Sequence, residues 1–216
     1  MTPTHLPLTF YTANTPNGLK VSLYLHECGL PHRQIDVDLS AGEQKQPAFL
    51  ALNPNGKIPV IVDHERALTV FESGAILSYL ATKTGVLQPM TKAKAIAVNQ
   101  WLHFQIGGIG PMLGQLWWFL HGSKTTNTEA IERYRKESMR LIGVVDDRLA
   151  TSAYLATDEY SIADIAAFAW LRTYHELNVD ISSFANVQRW LARIEARPAV
   201  KAAIVANRGT REKQEA

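Results

Sequence analysis

The chain has 216 residues, 46% of them hydrophobic, and a formal charge of +2 at neutral pH. That length suits one large domain or two small ones, and the apolar fraction is enough for a packed core. So small a charge, with no block of five like charges, argues against a nucleic-acid partner, and apolar runs such as Leu116–Leu120 are far too short to cross a bilayer. Cys28 is the only cysteine, so no internal disulfide can form. The residues before Leu6 are polar and no apolar leader segment follows them. These features predict a cytoplasmic protein without a membrane anchor.

The first part of the chain alternates strand and helix. Leu6–Tyr11 reads as a strand. Val21, Tyr24, Leu25 and Cys28 then recur at i, i+3, i+4, i+7 and mark one stripe of a helix. Gln34–Val37 is a second strand and Pro47–Leu52 a short helix. Val60–Val62 and Leu68–Phe71 are close enough for a hairpin. Glu72–Thr84 is helical, with Gly85 at its C′ position.

Beyond a linker at 85–91 the strand signal vanishes. Long helices are predicted over Lys92–Leu120, Thr128–Ala150, Ile162–Leu177 and Phe184–Ala196. Arg197-Pro198 precedes a last short helix. Ser161-Ile162-Ala163-Asp164 is an S-x-x-D capping box, with Tyr160 and Ile165 in the staple positions. The expected organisation is an α/β domain over 1–84 and an all-α bundle over 92–207. A polar tail covers 208–216.

Several signatures fail. His26-Glu27, His64-Glu65 and His175-Glu176 each begin H-E-x-x-H, but Leu30, Leu68 and Val179 stand in the second histidine's place, so no metal is expected. Gly56-Lys57 is followed by Ile58, so there is no phosphate-binding P-loop. Gly108-x-Gly110 has Leu113 where a third glycine belongs, so no nucleotide is expected either. Cys28 lies near the C-terminal end of a helix, on its apolar face, where both the dipole and burial disfavour a thiolate. Any sulfur chemistry must come from a bound thiol.

Three stretches carry chemistry. In Asn53-Pro54-Asn55-Gly56-Lys57-Ile58-Pro59-Val60, a proline opens a strand, a place suited to a cis peptide. Such a bend would offer the Ile58 N–H and C=O to an extended peptide, as in strand addition; a plain edge-strand proline is the alternative. Phe71-Glu72-Ser73-Gly74 places Ser73 at a helix N-terminus, suited to a carboxylate, with Glu72 beside it for an amino group. Ala13-Asn14-Thr15-Pro16-Asn17-Gly18 puts Thr15 and Asn17 at another helix start. There a hydroxyl and amides can lower a thiol pKa from about 8.5 toward neutrality. Plain capping is the alternative at both helix starts.

This order of β-α-β, proline, hairpin and Glu-Ser helix resembles the thioredoxin-like domain of cytosolic glutathione transferases. The helical half and its capping box resemble that superfamily's second domain. More narrowly, the stretches Thr15–Leu25, Gly42–Gln44, Asn53–Asp63, Phe71–Gly85, Gln100–Gln115 and Ile131–Tyr134 resemble the bacterial nu class, members of which are glutathione-dependent disulfide-bond oxidoreductases.

The resemblance implies glutathione as co-substrate, with Thr15 and Asn17 at the sulfur. It implies the Ile58–Pro59 backbone at the cysteinyl unit and Glu72 with Ser73 at the γ-glutamyl end. Gln44 and Lys57 fall toward the glycyl side. Gln100 and Arg133 would complete the site from the helical half or from a partner subunit of a homodimer. On sequence alone Arg133 is a helix charge pairing with Glu129 or Glu137. Met112, Trp117, Trp118 and Phe119 are candidates for a second-substrate pocket between the halves, or for a dimer interface, with burial in the core as the ordinary alternative. Gly107, Gly108 and Gly110 predict a kink or a close helix approach.

The expected reaction is thiol–disulfide exchange by bound glutathione. Conjugation to electrophiles, peroxide reduction, and a non-catalytic glutathione-binding protein on the same fold are the rivals.

Overall fold

The computed structural model describes residues 6–212, with side chains through Asn207. The chain divides into two compact units, one of residues up to Val86 together with those from Pro198 onward, the other Leu87–Arg197.

In the first unit, strands β1 (Leu8–Thr12), β2 (His32–Asp36), β3 (Val60–Asp63) and β4 (Leu68–Phe71) form one sheet in the order β2-β1-β3-β4. β1 and β2 are parallel; β1 with β3, and β3 with β4, are antiparallel. Parallel pairing needs a crossover, supplied by α1 (Pro16–Cys28). The short α2 (Pro47–Leu50) precedes β3, and α3 (Ser73–Thr84) follows β4. This is the expected thioredoxin-like layout.

The last helix, α9 (Pro198–Glu212), belongs to this unit rather than to the bundle predicted over 92–207. Val200, Ala203, Ile204 and Asn207 recur at i, i+3, i+4, i+7 and are buried, and α9 packs on α1. The helix also runs to Glu212, through positions where a polar tail was expected to begin. Packed against both α3 and α9, α1 has every residue from Gly18 to Leu25 buried.

The second unit is helical. The predicted helix over Lys92–Leu120 is interrupted: α4 (Lys92–Phe104) passes into a π-helical turn at Gln105–Ile109, then α5 (Gly110–Trp117), then a second wide turn at Trp118–Gly122. Pro111 lacks an N–H and its ring crowds the preceding turn, which accounts for the first widening. α6 (Thr128–Leu149), α7 (Ile162–Leu171) and α8 (Ala185–Glu195) complete the unit. α7 ends six residues before the expected Leu177, because Thr173 donates its hydroxyl to Trp170 O at 2.7 Å and the chain tightens into successive turns.

The capping box forms around Asp164, which is wholly buried. Its carboxylate accepts from Ser161 N–H at 3.1 Å and Oγ at 3.0 Å, from Leu155 N–H at 2.9 Å and from Trp190 Nε1 at 3.0 Å. Among the described residues no helix is long and apolar enough to cross a membrane, and no group of His, Cys, Asp or Glu is placed to hold a metal ion.

Candidate functional site

Strand register gathers four separate stretches at one end of the sheet. Thr12, closing β1, stands beside Asp36, closing β2. Tyr11 opposes Val60 at the start of β3, and Val60 opposes Phe71 at the end of β4. The loops at this edge carry Thr15 after β1, Gln44 beyond β2, Ile58 before β3 and Glu72–Ser73 after β4. Open α/β sheets bind ligands beyond the carboxyl ends of their strands, and three of the four strands end here.

Thr15 is the N-cap of α1. Its Oγ accepts from Gly18 N–H at 3.1 Å. A hydroxyl that accepts in this way keeps its own proton to donate elsewhere. Pro16 at the first helical position needs no N–H, and Asn17 follows, half-buried. Gly18 cannot be replaced without movement: a Cβ there would stand 2.4 Å from both Ala13 O and Thr12 Oγ1. From outside, Asn207 of α9 donates to Asn14 Oδ1 at 2.8 Å and ties down the residue before Thr15.

The Ile58-Pro59 peptide is cis. Asn53, buried, holds the preceding turn: Nδ2 donates to Lys57 O at 2.6 Å and Oδ1 accepts from Asn55 N–H at 3.0 Å. Gly56 takes φ +60°, and a Cβ there would meet Gln44 O at 2.9 Å, so this turn and the Gln44 turn are pressed together. The Ile58 side chain packs against Val37, Phe49 and Val60. Its N–H and C=O take no part in the turn, loop and cap hydrogen bonds of the described residues. Gln44 donates to Leu39 O at 3.3 Å, while its Oε1 is buried without a partner among the described residues. Lys57 is exposed.

Glu72 is the N-cap of α3 at φ 69°, ψ 116°, a backbone that costs a non-glycine residue about 1–3 kcal/mol and recurs at ligand clamps. Ser73, first in the helix, is nearly buried and accepts from Lys20 Nζ at 3.2 Å. Burial pulls the Lys20 pKa down to about 7, against the opposing pull of Glu72.

Cys28 ends α1 and donates to Leu25 O at 3.6 Å; burial pushes its thiol pKa up. The expectation of an unreactive thiol is consistent with this.

In the second unit Gln100 on α4 and Arg133 on α6 are both exposed. Arg133 does not pair as expected. Glu137 is taken by Arg140, three residues on, through bonds of 2.8 and 2.7 Å, and Arg133 has no ion pair among the described residues. A bidentate fork one turn away outcompetes a single long reach. The aromatic stretch is not core: Trp117 and Trp118 are 44% and 48% exposed. Phe119, half-buried, stacks on Tyr134 with centroids 5.6 Å apart, and Met112 is half-buried on α5.

Sequence reasoning missed Lys20, Asn53 and Asn207. The Asn53-Pro54-Asn55-Gly56 run carries an Asx-turn signal that could have singled out Asn53. Nothing local marks the other two, whose partners lie 53 and 193 residues away.

Known proteins are similar to this chain in sequence and fold. The glutathione S-transferase N-terminal domain model matches residues 15–83, and the C-terminal domain model residues 109–198. The Escherichia coli disulfide-bond oxidoreductase YfcG is 45% identical over 203 residues, 92% of this chain and 94% of that protein. A Burkholderia graminis glutathione transferase, solved with two glutathione molecules per subunit, is 44% identical with a TM-score of 0.88, covering 94% of this chain and 90% of that one. A Pseudomonas putida glutathione transferase, solved with one glutathione disulfide per subunit, is 41% identical with a TM-score of 0.88, covering 94% and 93%. The fold, the order of the loops at the sheet edge and these matches over nearly the whole chain make this protein a member of the glutathione S-transferase family.

Proposed function

We propose that this protein is a glutathione-dependent disulfide-bond oxidoreductase of the bacterial nu class, acting as a homodimer in the cytoplasm. The observation that carries the reading is a hydroxyl donor at a helix start, in a family whose ligand is a thiol, with no cysteine in the loop that holds it. The identity to YfcG and the two glutathiones of the B. graminis relative support it.

In the proposed reaction the thiolate of bound glutathione attacks one sulfur of a disulfide. A new S–S bond forms, the old one breaks, and the departing thiolate takes a proton. A second glutathione thiolate then attacks the mixed disulfide and releases glutathione disulfide and a second thiol. Two glutathione thiols are oxidised and one disulfide is reduced, so electrons balance without metal or nucleotide.

Thr15 donates its hydroxyl proton to the thiolate, with Asn17 beside it. The Ile58 main chain, ahead of Pro59, pairs with the cysteinyl unit. Glu72 and Ser73 hold the amino and carboxylate groups of the γ-glutamyl end, and Gln44 and Lys57 the glycyl end. Gln100 and Arg133 are proposed further ligand residues, and Met112, Trp117, Trp118 and Phe119 the proposed second-substrate residues.

The test is reduction of a small model disulfide with glutathione as the sole reductant, on wild type and Cys28→Ala. Equal turnover by both is expected. A dead Cys28→Ala enzyme that still folds and binds glutathione overturns the mechanism. A wild type that binds glutathione but turns over no disulfide overturns the function.

A further inference from the structure

Helix α1 carries a lysine where its packing calls for an apolar residue. Lys20 is 1% exposed, within a run in which every residue from Gly18 to Leu25 is buried. A buried ammonium is costly unless it is hydrogen-bonded and near an opposite charge, and an apolar side chain of similar volume is often the more stable choice. Lys20 Nζ reaches Ser73 Oγ at 3.2 Å, and Glu72 supplies the opposing charge.

The sign is the informative part. Ser73 opens α3, and a helix start already carries roughly half a positive charge from its dipole. A packing cation would gain more at a helix C-terminus. Here the ammonium adds to a positive field at the place where the proposed ligand has a carboxylate.

The geometry points to Lys20 as a positioning residue for the α-carboxylate of the γ-glutamyl end, acting through Ser73. This rests on the reading of Glu72 and Ser73 as the γ-glutamyl site. Lys20 donates to Ser73 Oγ, so the single Ser73 hydroxyl proton is left to donate to the carboxylate. In its protonated form, which a bound carboxylate favours against the depression of its pKa to about 7, the buried charge strengthens that donor and attracts the anion. Glu72, exposed and opposite in sign, takes the neighbouring amino group. The two residues thus divide a zwitterion between them, and a ligand lacking either charge is discriminated against.

The test is a calorimetric titration of wild type and Lys20→Met with three probes: glutathione; glutaryl-Cys-Gly, which keeps the head carboxylate without the amine; and 4-aminobutyryl-Cys-Gly, which keeps the amine without that carboxylate. Lys20→Met should weaken the first two by about ten- to a hundredfold, the range of a charge-assisted hydrogen bond. It should leave the third unchanged, and in turnover the change should fall on KM for glutathione and spare kcat. Lys20→Gln, which can still donate to Ser73, should lie between.

Equal loss for all three probes, or no loss, overturns the role of Lys20 and leaves the site reading intact. If wild type itself binds 4-aminobutyryl-Cys-Gly as tightly as glutathione, the head carboxylate is not recognised and the Glu72–Ser73 reading falls first. If neither variant folds, as judged by thermal melting, the ammonium serves the core and the proposal is overturned.

Discussion

Replacing Thr15 by alanine separates the observed job of one hydroxyl, capping α1, from its proposed job as a donor to sulfur. As acceptor it caps α1, taking the Gly18 N–H at 3.1 Å, and loss of such a cap costs about 1 kcal/mol at every pH. As donor, in the role proposed for it, it would stabilise the thiolate of bound glutathione, and a hydrogen bond to a charged group contributes about 1.5–3 kcal/mol. One pKa unit corresponds to about 1.4 kcal/mol, so the bound thiol should titrate roughly one to two units higher in Thr15→Ala. Below its pKa the thiolate fraction falls about ten- to a hundredfold. A more basic thiolate is a better nucleophile, with a slope near 0.5, so about half of that loss on the logarithmic scale is recovered. The net expectation is a rate at neutral pH lower by roughly three- to tenfold, and at alkaline pH, with both thiols ionised, a rate higher than wild type by a similar factor. The two pH–rate profiles should therefore cross. Thiolate absorbance of the glutathione complex gives the pKa directly, and denaturant unfolding isolates the cap. Thr15→Ser should restore both functions. Thr15→Asp should restore the cap and, by placing a carboxylate beside the sulfur, abolish the rate advantage. A Thr15→Ala profile that falls uniformly without moving along the pH axis would refute the donor role, because lost positioning alone cannot shift a titration.

Three further perturbations test the frame around the site. Asp164→Ala leaves the N–H groups of Leu155, Ser161 and Trp190 without their buried acceptor, and should destabilise the protein by about 3–5 kcal/mol in urea unfolding; a loss below 1 kcal/mol would show that the network contributes little. Gly18→Ala forces a methyl into Ala13 O and Thr12 Oγ1, so the start of α1 must shift. Glutathione affinity should fall together with about 1–3 kcal/mol of stability, and wild-type behaviour would disprove the close approach. Asp63 is wholly buried, and burial works to raise its carboxyl pKa; the bonds from Lys83, at 2.7 Å, and Tyr79 outweigh this and hold it below its ordinary 3.8. A depressed folded pKa means that the stabilisation is complete above 3.8 and is lost as pH falls through the lower folded value. Asp63→Asn should therefore be less stable at neutral pH but lose stability less steeply in acid, and parallel acid curves would exclude the pairing.

Much of the candidate site was legible because its parts are local. Thr15 followed by Pro16 and Gly18 spells a capped helix start within four residues. Asn53–Pro59 spells a turn entering a strand, and Ser161–Asp164 a capping box. In each case the hydrogen bonds connect residues a few positions apart, so residue type and spacing carry the information. Where several local choices were open, neighbours decided. Glu137 met Arg140 rather than Arg133 because the nearer guanidinium could bind both oxygens. Trp117 and Trp118 stand exposed although their type suits a core, since what covers a helix face depends on what packs there.

By itself the sequence determined the alternation of strand and helix in the first part of the chain, the helix starts after Thr15 and Ser161, and the family resemblance, all properties of spacing along the chain. Tertiary structure alone decided that α9 packs on α1, that Asn207 braces the loop before Thr15, and that Lys20 lies beneath Ser73. An amphipathic stripe records that a helix must bury one face, but not against which partner. A lysine in a helix reads as a surface charge until the elements on either side of it are known.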